Sequence, residues 1–211
     1  RMHAFLCRVA YTDDVLILGR GLAGAVLTET LRARGLRVHV FHRTRTGSAS
    51  VVAAGVVNPV VFRRDVLSWR ATELLPIAKA FYTDFGVRNG VEVWHPTELV
   101  KLFPSPKEVD QWARAMAAHD TAHFTDRRAQ PEVETASVHA PHGHGTVTQA
   151  AWLDVPMFLE KQMEALLQHG ALTEEQVHAE AIERQADHVR IGAHTARWLV
   201  RCEGAFTGAE G

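Results

Sequence analysis

At 211 residues the chain is long enough for one generous domain or two small ones. With 46% apolar and 22% charged residues it has the composition of an ordinary soluble globular protein, not of a disordered or fibrous one. A formal net charge of -1 removes any global electrostatic case for nucleic acid or an anionic membrane as partner, and no apolar run approaches the roughly 20 residues that span a bilayer.

The opening stretch, RMHAFLCRVAYTDD, has neither the long apolar core nor the small-residue cleavage site of a signal peptide. Arg1 ahead of Met2 is an unusual start, which fits an expression remnant or a piece of a longer reading frame. The two cysteines, Cys7 and Cys202, lie far apart with no second thiol beside either, so a CxxC redox or zinc motif is excluded. Such sparse usage fits a reducing compartment, with a single distant disulfide left open, and the cytoplasm is the expected location.

Val15–Leu18 is an unbroken apolar run, as in a strand buried on both faces of a parallel sheet. A helix pattern follows, with Leu22, Ala23, Val26, Leu27, Thr30 and Leu31 on one face and Gly35 at the expected left-handed C-cap. RVHVFH is the next strand, which completes a βαβ opening within the first 45 residues. Ser68–Phe85 reads as helix, kinked or divided at Pro76. Val91–Phe103 reads as one or two strands with a break at Pro96. The next helix starts with Ser105 as N-cap and Pro106 just inside.

Residues 120–150 are polar and rich in Gly, His and Thr, as suits a hairpin or loop region. Asp154–Gly170 is an amphipathic helix with Phe158, Leu159, Met163, Leu166 and Leu167 on one side. QVHAEAIER, HVRIGA and RWLVRCEG read as three further strands. The order implies a doubly wound α/β unit carrying an insertion.

GRGLAG places Gly19, Gly21 and Gly24 in G-x-G-x-x-G spacing. The first glycine permits a tight turn out of the strand, the second a close approach to a pyrophosphate, and the third close packing of helix on strand. The helix start then offers unpaired N–H groups, those of Leu22 and Ala23 among them, and a partial positive charge. The motif alone is weak, but here a strand precedes it, a helix follows, and a second strand comes at the right distance. A carboxylate is expected about 20 residues on, to hold a ribose hydroxyl. The slot holds His42, 18 residues after Gly24. An imidazole can bond one hydroxyl but lacks a carboxylate's pair of acceptors. Arg43 and Arg45 follow, which makes an adenosine 2′-phosphate, and hence NADP, a rival ligand unless both are solvated loop charges. Thr46–Pro59 is rich in small residues, which lets backbone lie against a ring or phosphate.

The run from Asp14 to Val60 resembles the FAD-binding segment of flavin-dependent oxidoreductases of the D-amino acid oxidase and glycine oxidase family. Gly19, Gly21, Gly24, Ser48, Ser50, Ala54 and Gly55 match the family's glycine turn and Ser/Ala/Gly segment, while His42 departs from its acid. GTVTQAAWLDVPMFLEKQMEALLQHGA resembles the family's later strand and helix. WLVRCEGAF resembles its third glycine-bearing strand, with Gly204 and Ala205 near the cofactor. The AEAIER stretch is similar to the backbone that meets the adenine, at Ala181 and Ile182.

The resemblance implies a Rossmann-like FAD-binding domain with an inserted, mostly antiparallel substrate region. Residues 14–90 would form its first FAD segment, 91–150 part of the substrate domain, and 151–211 the second FAD segment. It implies FAD as cofactor and a small amine or amino acid as substrate, while the near-neutral charge and the lack of a long apolar run point to no nucleic-acid or membrane partner. Family members are generally longer, so an N-terminal portion is expected, short of the substrate arginine and tyrosine and of the final glycine-rich segment. An RNA-modifying relative exists in the broad family, but the near-neutral charge lacks the basic stripe that RNA binding favours.

No catalytic residue is assigned, because the flavin accepts hydride and the protein need only orient the substrate. His139, His142 and His144 are close in sequence but have no cysteine or carboxylate nearby, so no metal site is expected. The five tryptophans, Trp69, Trp94, Trp112, Trp152 and Trp198, lie in apolar patterns and are expected in the core.

Overall fold

The computed structural model describes residues 11–43, 47–118, 120–126, 133–134 and 139–204. The chain forms two compact units, Arg1–Ala53 with Val155–Gly211, and Ala54–Asp154. The crossings fall at 53/54 and 154/155, so residues 54–90 belong to the inserted unit and not to the first segment as the sequence implied. Cys7, Arg45 and Ala205 lie outside the described residues.

The first unit opens with β1 (Val15–Leu18), α1 (Leu22–Ala33), β2 (Val38–Phe41) and the short α2 (Ala49–Val52). β1 is central in a parallel sheet, between β2 and the strand Trp198–Arg201, with Leu172–Thr173 beyond β2. A central strand meets protein on both faces, and all four residues of β1 are buried. Asp14 secures its start: both carboxylate oxygens accept from Arg37, and this pairing holds the Asp14 carboxyl below the usual range.

α1 ends in a Schellman motif. The Gly35 N–H donates to Arg32 O and the Leu36 N–H to Leu31 O, with Gly35 at φ +78°. Its most buried residues are Gly24, Ala25, Thr28 and Glu29, not the apolar set the sequence marked, and Ala23 is exposed. Small side chains at 24, 25 and 28 let the helix approach closely, while Leu27 and Leu31 border the core from the side.

The inserted unit contains β3 (Val56–Val57), β4 (Val60–Val61), β5 (Val66–Leu67), α3 (Ala71–Asn89), β6 (Trp94–Leu102), α4 (Pro106–Ala118), β7 (Val133–Glu134), β8 (His139–Ala140) and β9 (His144–Leu153). α3 runs through Pro76 as one helix. The proline lies in the second turn, where it deprives only the Thr72 carbonyl of a partner. β6 likewise continues through Pro96, because it is an edge strand and its irregularity falls between Thr97 and Leu99. The stretch that suits a hairpin or loop holds β7 and β8, which pair antiparallel, and most of β9, the central strand of the antiparallel sheet β3-β9-β6. Phe103, Trp112, Met116, Phe124, Val147 and Ala150 form this unit's core.

The chain then returns to the first unit with α5 (Val155–Gln168), β10 (Leu172–Thr173), β11 (Ile182–Arg184), β12 (Val189–Ile191), β13 (His194–Ala196) and β14 (Trp198–Arg201). In α5 the buried positions are Val155, Phe158, Leu159, Gln162 and Leu166, whereas Leu167 is exposed. The alternation along β1 explains the layering. Val15 and Ile17 share a core with Leu27, Leu31 and Leu166, on the helix side. Leu16 and Leu18 share one with Val189, Ile191 and Ala196, where the antiparallel sheet β11-β12-β13 covers the opposite face. Of the tryptophans only Trp94 and Trp112 are core, while Trp69, Trp152 and Trp198 are exposed.

Candidate functional site

The glycine turn leaves β1 between its two neighbours. The Gly19 N–H donates to Phe41 O at 2.8 Å, and the Cys202 N–H donates to Leu18 O at 2.6 Å. Gly19 has φ +95°, and a Cβ there would lie 2.5 Å from the Cys202 carbonyl oxygen. Two requirements, left-handed backbone and close passage past β14, therefore select glycine. A Cβ on Gly24 would lie 2.1 Å from Gly19 O, so the helix rests directly on the turn. Gly21, the N-cap of α1, lies beside Ser50, whose Oγ would be 3.0 Å from an added Cβ.

This packing fixes where the first-turn amides point. The Leu22 N–H donates to Ser50 Oγ at 2.9 Å. The Ala25 N–H is the first to reach back, to Gly21 O at 2.9 Å, so those of Ala23 and Gly24 have no acceptor within the helix. The Leu22–Ser50 bond shows one first-turn amide meeting an oxygen from outside the helix. A diphosphate suits such donors, with the helix dipole adding to the attraction.

Arg20, inside the glycine motif, was not singled out from sequence. It is 8% exposed and folds back onto α5. Its Nη1 donates to Leu159 O at 2.5 Å and lies 3.5 Å from Gln162 Oε1, and its Nη2 is 3.4 Å from Met163 Sδ. Burial lowers its pKa, and Glu174 opposes that shift. The legible signal was Gln162, a polar residue on the apolar stripe of α5. Cys202 is half-buried, lies against Gly19 and Gly24 as the wall of the turn, and has its thiol pKa pushed up by burial and then by Glu203.

His42 is half-buried at the exit of β2, and its N–H donates to Thr173 O at 3.0 Å. Burial first, then Arg20, lowers the pKa of its ring, while Glu174 raises it. Arg43 is exposed and donates from Nη1 to Gln176 Oε1 at 2.9 Å. Ser48 is the N-cap of α2, its carbonyl accepting from Val51 and Val52. Ala181 is exposed at the end of a 3-10 turn, and Ile182 packs with the Leu16 and Leu18 core. Gly204 is exposed at φ +65°, and a Cβ added there would meet nothing within 4 Å among the described residues.

Gly19, Gly21, Gly24 and Ser50 thus come together, and His42 stands near Arg20. Ala54 and Gly55 belong to the inserted unit. There Gly55, at φ +70°, has a local reason: a Cβ would lie 2.0 Å from Leu153 O, in the β3–β9 pairing.

Among the described residues, one trio has metal-ligating atoms close together, Asp13, His39 and His194, all within 4.8 Å. The two rings stack with centroids 3.6 Å apart and planes 26° apart, and His194 Nδ1 is 3.1 Å from Asp13 Oδ2. Near-parallel imidazoles aim their lone pairs side by side, not at a shared centre. The cluster therefore reads as packed and hydrogen-bonded, with His39 Nε2 2.8 Å from Thr173 Oγ1. His139, His142 and His144 are spread over β8, a turn and the start of β9.

A central buried strand, a glycine turn packed against both neighbours and a helix with outward first-turn amides define a dinucleotide-binding α/β unit. The model of the FAD dependent oxidoreductase family (DAO) matches residues 14–211, and the chain belongs to that family. A curated relative, the tRNA 5-methylaminomethyl-2-thiouridine biosynthesis bifunctional protein MnmC of Marinobacter nauticus, is 30% identical over 129 residues, 61% of this chain and 19% of its own length.

Among solved structures, glycine oxidase from Bacillus cereus has a TM-score of 0.69 at 16% identity, over 92% of this chain and 56% of its own. Glycine oxidase from Geobacillus kaustophilus has the same TM-score at 18% identity, with the same coverage of both chains. L-amino acid deaminase from Proteus vulgaris has 0.65 at 15% identity, over 94% of this chain and 49% of its own. These likenesses establish a shared fold. The chain spans about a fifth of the curated relative and about half of the solved structures.

Proposed function

We propose that this chain is the FAD-carrying portion of an oxidoreductase acting on the C–N bond of a small amine or amino acid. The reading rests on one observation: Gly19 and Gly24 admit no side chain, and the helix they position presents first-turn amides outward. Those amides would hold the diphosphate, with Ser50 beside them. Bound FAD would supply the hydride acceptor, reoxidised by oxygen or another acceptor. Buried Arg20 fixes the turn against α5 and lends positive charge near the phosphates. The first unit would carry the cofactor and the inserted unit the substrate, in the cytoplasm. Among the described residues no helix is long and apolar enough to cross a membrane.

Titration of the purified chain with FAD tests this reading, by flavin fluorescence and thermal shift, with NADP alongside. FAD is expected to raise the melting temperature and lose fluorescence on binding. No response to FAD would overturn the reading, and a response to NADP alone would favour the rival that His42 and Arg43 suggest. FAD binding without turnover of any amine in a full-length protein would instead favour a non-catalytic module.

A further inference from the structure

The slot after β2 lacks its acid, yet an acid stands next to it. β10 pairs with β2 in parallel, with Thr173 opposite Phe41, and the His42 N–H closes on Thr173 O. Glu174 therefore leaves β10 at the level where His42 leaves β2. Arg43 and Gln176 tie the two exits together one step further on. Both exits lie at the carboxyl edge of the parallel sheet, where the glycine turn also opens and where such sheets take their ligands. Glu174 is exposed, and its charge is felt by both Arg20 and His42.

We propose that Glu174, one strand over, supplies the carboxylate that grips the adenosine ribose hydroxyls of the dinucleotide, in place of the acid missing after β2. His42 stands beside it as a further hydrogen-bonding group. A carboxylate accepts from both vicinal hydroxyls at once, which one imidazole cannot do. A 2′-phosphate at the same point would meet like charge, so this placement favours FAD over NADP. The inference deepens the FAD reading and depends on it.

FAD affinity of the purified chain would be compared in the wild type, Glu174→Gln and the double variant Glu174→Gln/His42→Asp, with melting temperature measured alongside. Glu174→Gln is expected to weaken FAD by about tenfold or more, since bonds to a charged acceptor are the strong ones, with melting temperature unchanged. The double variant, with the acid returned to β2, is expected to regain most of the lost affinity. Unchanged affinity in Glu174→Gln overturns this inference and leaves the FAD reading standing. A loss that His42→Asp does not recover, or one that follows a fall in melting temperature, also overturns it. No FAD binding by the wild type overturns both.

Discussion

Acidification should unlock one buried ring before it reaches most carboxylates. His39 is 3% exposed in β2, stacked on His194 and bonded to Thr173. Burial, then the neighbouring His194, pushes its pKa from 6.5 down to about 4, against a weaker upward pull from Asp13. In the unfolded chain the ring regains its ordinary pKa. Between the two values the unfolded state binds the extra proton, so stability falls as pH drops through this window. At about 1.4 kcal/mol per pKa unit the whole shift is worth at most about 3 kcal/mol, of which about 2 is already lost at pH 5. Relaxation of the folded chain around a charged ring reduces this to roughly 1–2 kcal/mol.

Urea unfolding at pH 7.5 and 5.0 would compare the wild type with His39→Gln, which keeps a polar partner for Thr173 but does not titrate. The wild type is expected to lose about 1–2 kcal/mol more than the variant over this interval, since shifted carboxylates such as Asp14 and Asp187 contribute equally to both. Parallel losses in the two proteins, or a His39 ring that titrates above pH 6 by NMR, would refute the reasoning.

Gly24→Ala places a methyl 2.1 Å from Gly19 O. It should cost about 1–3 kcal/mol in urea unfolding and, by shifting α1 off the turn, weaken FAD more than tenfold by flavin fluorescence. In the inserted unit, Lys101 Nζ is 2.6 Å from the fully buried Asp65. Lys101→Met strands that carboxylate and should destabilise by roughly 3–5 kcal/mol in urea unfolding, with Lys101→Met/Asp65→Asn recovering part of the loss.

What the sequence made legible was local. Four apolar residues, three glycines at fixed spacing and a capped helix each obey rules that act within a few residues, and β1, α1 and β2 appear where those rules put them. The misread elements depend on partners far along the chain. β9 lies largely in a stretch whose polar, Gly-, His- and Thr-rich composition suits a hairpin or a loop equally. Its strand character comes from being paired on both sides, by β3 and β6. The buried face of α1 escaped because closeness there requires small residues, which a count of apolar side chains passes over. Arg20 is buried by Leu159 and Gln162, 139 and 142 residues away. Glu174 stands beside His42 only through the pairing of β10 with β2. The missing acid could thus be noticed at position 42, while its replacement could be found only after the strands had been set side by side. A residue exchanged across adjacent parallel strands keeps a site's charge while erasing its linear spacing, so a broken motif is weak grounds for rejecting a ligand.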